Sequence, residues 1–146
     1  AAMTVSKKDT LRLVECYKTK EAPQILYRLL EARPASANIS HRGMPTFRRH
    51  LAFFKSRPYK AWYFIQNSVW GVVGAIYLSR NDEIGIFFFK EFRHKGYGYR
   101  AVEILMRRHR GVRRFLANIN PKNTASVRFF DKINFKHIQN TYEFHR

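Results

Sequence analysis

Residues 84–109 constrain this chain more than any other stretch. Ile84-Gly85-Ile86-Phe87-Phe88-Phe89 is a short apolar run with no proline and no charge. Its length and its β-branched and aromatic content read as a strand. Arg93-His94-Lys95-Gly96-Tyr97-Gly98-Tyr99 follows, after which Ala101, Ile104, Leu105 and Met106 mark one face of a helix running to His109. The order is strand, tight loop, helix. A glycine-rich turn that opens a helix leaves several backbone N–H groups without intrahelical acceptors, with the positive end of the helix dipole behind them. That arrangement is a phosphate cradle.

Two common phosphate motifs fit it poorly. The dinucleotide fingerprint G-x-G-x-x-G finds Ala101 at its third position, a tolerated variant, but lacks the surrounding βαβ unit. A P-loop needs Lys-Ser/Thr after its second glycine, where this chain has Tyr99-Arg100. The spacing Arg93-x-x-Gly96-x-Gly98 instead resembles the pyrophosphate loop of the GCN5-related N-acetyltransferases, the GNAT superfamily. Some 25 residues on, Asn120 to Phe135 is similar to that family's second signature, N-x-x-S/A-x-x-L/F-Y/F-x-x-x-G-F. Two motifs in the right order and at the right distance make the resemblance specific, and it extends over essentially the whole chain.

With 146 residues the chain is long enough for one domain with a real core, and residues 1–146 are read as a single one. No repeat or low-complexity tract interrupts it, and no apolar run approaches the roughly 20 residues that span a bilayer. No stretch has signal-peptide layout, and Ala1-Ala2 ahead of Met3 reads as an extension left by cloning. The single Cys16 excludes an internal disulfide and offers no metal cluster, so a reducing cytoplasm is the expected compartment and no metal is expected. Cys16 itself reads as a small buried hydrophobe on the first strand.

Taken in order, Leu11 to Tyr17 reads as a strand and Glu21 to Arg33 as a helix whose first turn tolerates Pro23. Pro45 to Ser56 reads as a second helix, with Ala35 to Met44 a loop before it. A meander follows: Ala61 to Gln66, a turn at Asn67-Ser68, Val69 to Ser79, a turn at Arg80-Asn81-Asp82, then Glu83 to Phe89. After the third helix come a strand over Arg114 to Asn120 and a fourth helix over Thr124 to Lys132. Asn134 is placed as a left-handed cap, and Phe135 to Ile138 with Thr141 to Phe144 as a closing hairpin. The fold class is therefore α+β, and the resemblance implies a mixed, mostly antiparallel sheet of six or seven strands flanked by four helices.

The resemblance implies direct transfer of an acetyl group from acetyl-CoA to a primary amine. Carried over by spacing, it places the backbone of Phe88 on the pantetheine arm and the amide of Ile86 at the acetyl carbonyl. It places the phosphates on the amides of His94 to Gly98, with charge from Arg93 and Lys95. Tyr97, Tyr99, Asn123 and Ser126 complete the expected cofactor contacts. A protonated amine with pKa near about 10 needs a base. Relatives use a carboxylate at the start of this strand, which points to Glu83 or Asp82. Phe130 stands where many members carry a tyrosine that protonates the leaving thiolate, so the acid role passes to Tyr142 or to Tyr99, or is not needed for a thiolate leaving group. His50, in His50-x-x-Phe53, resembles the His-x-x-Trp of relatives that acetylate amino sugars or protein N-termini, on a helix that often walls the acceptor site.

The net charge of +18, from 28 Lys and Arg against 10 Asp and Glu, exceeds what one cofactor needs. It implies attraction to polyanions such as nucleic acid or a ribosome. Arg93, Lys95, Arg100, Arg107, Arg108, Arg110, Arg113 and Arg114, interleaved with Tyr97 and Tyr99, also permit a different class of protein, a basic nucleic-acid-binding module without acetyl transfer. The acceptor expected on the enzyme reading is a nucleotide-linked amino sugar, a protein N-terminus or another small amine. The protein is expected to be a monomer or homodimer.

Overall fold

The computed structural model describes residues 9–37 and 43–146. In chain order its elements are β1 (Leu11–Glu15), α1 (Ala22–Glu31), α2 (Phe47–Lys55), β2 (Ala61–Asn67), β3 (Gly71–Leu78), β4 (Ile84–Phe88), α3 (Tyr97–Arg108) and α4 (Thr124–Lys132). Short 3-10 turns at Cys16–Lys18 and Lys90–Phe92 adjust the chain after β1 and before the glycine loop. The strands form one antiparallel sheet in the order β1-β2-β3-β4.

Alternation along the strands sorts the core into two layers. Tyr63, Ile65, Ile76, Leu78 and Ile84 pack with Ala101, Val102 and Leu105 of α3 on one face. Phe64 and Ala75 pack with Ala22, Leu26 and Leu29 of α1 on the other. Cys16 joins the second layer with no exposed surface, and burial pushes its thiol pKa up, so it packs as an inert hydrophobe. It lies in the turn just past β1 rather than on the strand. The helix ends follow local chemistry: Thr46 caps α2 through Arg49 N at 3.2 Å, and Pro23 sits in the first turn of α1, where it removes no helical bond.

Two expectations fail. The sheet has four strands among the described residues, not six or seven, because Arg114 to Asn120 does not form a strand. Only Leu116 pairs there, in a single parallel bridge to Glu83. Residues 117–120 then leave the β4 edge, so the expected closing hairpin has no sheet edge to join. A two-stranded ribbon without a sheet is marginal in water. Residues 135–146 accordingly carry no regular structure, and Ile138 and Phe144 are exposed. The left-handed turn expected at Asn134 is present, with φ 70°. Part of the loop expected over Ala35 to Met44 lies outside the described residues.

Candidate functional site

The register of β4 decides which of its backbone groups are available. Phe89 N donates to Val73 O at 3.0 Å and Ser79 N to Glu83 O at 2.8 Å, which fixes the alternation of the β3–β4 ladder. Residues 83, 85, 87 and 89 therefore bond toward β3, while Ile84, Ile86 and Phe88 turn their N–H groups to the opposite edge. Ile84 N finds the Leu116 carbonyl there at 2.7 Å. Beyond that bridge the neighbouring chain diverges, and the N–H groups of Ile86 and Phe88, about 7 Å apart along the strand, face the open edge. Their side chains pack toward the α3 layer, so the backbone is what they offer.

The same edge runs on into the loop. His94 and Gly96 both take left-handed conformations, φ 61° and 81°, the kind of turn in which successive backbone amides can converge on one point. Gly96 is the N-cap of α3 and supplies no side-chain cap, so the first-turn N–H groups have no acceptor from it. The helix starts at Tyr97, four residues ahead of the apolar pattern that the sequence displays from Ala101. This earlier start brings the dipole of a 12-residue helix directly to the glycines. Gly98 is held close to α4, where a Cβ would lie 2.9 Å from Phe129 Cε1.

The loop's side chains divide into anchors and free groups. Arg93 Nε donates to Phe88 O at 3.2 Å and its Nη2 to Ala32 O at 2.8 Å, so this arginine ties the loop to β4 and to the end of α1. Tyr97 is buried and donates to Asp9 Oδ2 at 3.2 Å, while Arg100 donates to Asp9 O at 2.9 Å. These two residues fasten α3 to the start of β1. His94, Lys95 and Tyr99 are exposed around the mouth. Asn123 caps α4, accepting from Ser126 N at 3.2 Å, so its Oδ1 is engaged and its amide nitrogen is the group left to reach a ligand.

The two carboxylates proposed as bases face different surroundings. Asp82, in a left-handed turn at φ 62°, pairs with Lys60 beside α3's C-terminal end. Glu83 instead accepts from Ser79 Oγ at 3.1 Å and from Asn118 Nδ2. It lies near Tyr77, whose ring stacks on Tyr59 at 3.9 Å. Burial raises both tyrosine pKa values, so neither phenol supplies a base at neutral pH. Ser79 and Asn118, which orient Glu83, were not singled out from the sequence. Ser79, four residues before Glu83 across a turn, carried a weak signal; Asn118 carried none.

Two further candidates are displaced. Tyr142 is 89% exposed, and the final strand that was to position it does not form. His50 is buried, not on an accessible helix face: its Nε2–H donates to Pro23 O at 3.0 Å, and Tyr27 and Phe47 flank the ring. This bond fastens α2 to α1. Phe130 is buried, edge-on to Phe129 and Phe135, and fills core.

Burial lowers the His50 pKa against a smaller opposing effect of the Pro23 bond. His109 is lowered by burial first, then by Lys60 and Arg108. In each case the unfolded imidazole, near pH 6.5, holds its proton more tightly than the folded one. The unfolded state therefore binds more protons below that value, and stability declines as pH falls through it. Thermal melts should show a lower midpoint at pH 5.5 than at pH 7.5, and His50→Gln should shrink that difference.

Comparison with known proteins agrees with this fold. The model of the acetyltransferase (GNAT) domain matches residues 7–136. A solved acetyltransferase from Thermus thermophilus is 19% identical over 90% of both chains, with a TM-score of 0.71. The aminoglycoside N-acetyltransferase AAC(6')-Iy in complex with CoA is 16% identical over 98% of this chain and 99% of that one, with a TM-score of 0.69. A variant of the Vibrio cholerae spermidine N-acetyltransferase is 12% identical over 92% and 83%, with a TM-score of 0.65. No curated protein matches the sequence significantly.

Proposed function

We propose that this chain, which belongs to the GNAT acetyltransferase family, moves an acetyl group from acetyl-CoA to a primary amine. The observation that carries the reading is the row of outward backbone donors from Ile86 and Phe88 through the amides of 94–98. Its β4 half suits an amide-bearing arm added as a strand, and its loop half suits a pyrophosphate. When bound, acetyl-CoA supplies the activated thioester.

The protein's residues then have few tasks. The Ile86 N–H is directed at the oxygen on which negative charge develops, where a preorganised donor is worth roughly 3–4 kcal/mol. Glu83 takes the amine's proton. It stands three residues before Ile86, about 10 Å along the strand, so the proton travels through water. Ser79 and Asn118 hold the carboxylate in place. A thiolate with an ordinary thiol pKa near about 8.5 leaves without an obligatory acid, which makes phenylalanine at position 130 compatible with turnover. Amino sugars, polyamines and peptide N-termini are the acceptors to screen.

Isothermal titration tests the cofactor half of the reading. Acetyl-CoA and desulfo-CoA should both bind saturably at moderate salt, since the loop grips phosphates and not sulfur. Gly98→Leu, which drives a side chain into Phe129 and the loop mouth, should weaken both at least tenfold. Equal heats for wild type and variant would remove the loop from the account.

A further inference from the structure

The opposite end of α3 holds a second basic site. An open cleft of about 680 Å³ lies where the helix ends, lined by Lys60, Asp82, Arg108, Arg110, Arg113 and Arg114. Twelve helical residues separate it from the glycine loop, about 18 Å at 1.5 Å per residue. A ligand in the loop does not fill it.

The cations of this cleft differ in how they are engaged. Asp82 already pairs with Lys60, and Arg108 donates to Leu13 O at 3.1 Å while covering the Tyr63 ring at 5.0 Å. Arg107, on the neighbouring turn, is matched by Glu103 at 3.1 Å. Arg110, Arg113 and Arg114 are exposed, and their side chains have no hydrogen bond or ion pair among the described residues. Three guanidinium groups thus crowd one mouth with no carboxylate paired to them among the described residues. The negative end of the α3 dipole, worth about half a charge, offsets only a fraction of that.

We propose that this cleft binds the sugar–phosphate backbone of a nucleic acid. Guanidinium groups present paired N–H donors that match phosphate oxygens. Their exposure suits an extended polyanion that several arginines track, rather than one small phosphate, which a rigid buried shell would hold. The one ring in the lining, His109, is half-buried and bonded to Tyr63, so bases find little to stack on. Binding is therefore backbone-directed and indifferent to sequence.

The test is fluorescence anisotropy with a labelled duplex of about two helical turns, as DNA and as RNA, across a salt series. Wild type should bind with an affinity that falls as log-salt rises, and Arg110→Ala/Arg113→Ala/Arg114→Ala should lose at least tenfold at low salt. The slope should drop by roughly 2–3, at about 0.9 per phosphate contact removed. Because all three residues are exposed, the melting temperature should not change. Lys20→Ala/Lys55→Ala/Lys132→Ala, which removes the same charge elsewhere, should lose less than threefold. An equal loss in both variants would reduce the effect to diffuse surface charge and overturn the proposal. So would absence of duplex binding alongside arginine-dependent binding to anionic phospholipid vesicles.

Discussion

Glu83→Gln should lower kcat for amine acetylation by about 10²–10³ at neutral pH, within the range that a positioned base contributes. The substitution is close to isosteric. Ser79 Oγ, 3.1 Å from Oε1, can still donate to the new amide oxygen, and Asn118 can turn its own amide to meet the new NH₂. The fold and the KM for acetyl-CoA should therefore persist, leaving the loss in kcat. The deficit should narrow as pH rises toward about 10, because the acceptor amine then deprotonates unaided. Asp82→Asn, which breaks a pair with Lys60 in the other cleft, should change kcat much less. A Glu83→Gln enzyme within threefold of wild type would move the base elsewhere.

Gly85→Ala should be a strongly disruptive single-methyl change in the sheet. A Cβ on Gly85 would overlap Cε2, Cζ and the hydroxyl of Tyr77. That ring cannot withdraw: it stacks on Tyr59 with centroids 3.9 Å apart and planes 3° apart, and Tyr59 is in turn set edge-on to Trp62 at 4.7 Å. Overpacking costs typically about 1–3 kcal/mol, and the stacked ring behind Tyr77 places this change at the upper end. For a chain of this size that corresponds to a fall in Tm of about 6–12 °C. Combining Gly85→Ala with Tyr77→Ala should cost less than the sum of the two single changes, since the second removes the ring that the first strikes. Strict additivity would mean that the clash is relieved some other way.

The legible part of this molecule was the part written in local pattern. The β4 run, the glycine loop and the apolar stripe of α3 each carry their own local signal, so the strand, turn and helix could be read residue by residue. So could the left-handed turn at Asn134, where asparagine tolerates what other side chains resist. What local pattern cannot report is which neighbour a strand-like segment meets. Arg114 to Asn120 has strand composition, yet among the described residues its backbone pairs with the start of β4 at Leu116 alone, and the final hairpin does not form.

Side-chain surroundings lie beyond local pattern for the same reason. His50 looks like a surface histidine along its own helix, but α1 lies across it and takes its N–H. Arg93 looks like a phosphate ligand within its motif, and the carbonyl of Ala32, 61 residues away, claims one arm of it. The row of free β4 amides could be expected only through resemblance. Its physical basis appears once the Val73–Phe89 and Ser79–Glu83 bonds set the parity of the ladder.

The most direct measurement is release of free thiol from acetyl-CoA by the wild-type protein, with and without primary amines drawn from amino sugars, polyamines and peptides. Acetyl transfer predicts thiol release that saturates with one class of amine, with the acetylated amine recovered in equal amount. Thiol release at one rate regardless of amine, or none with any of them, would contradict the account.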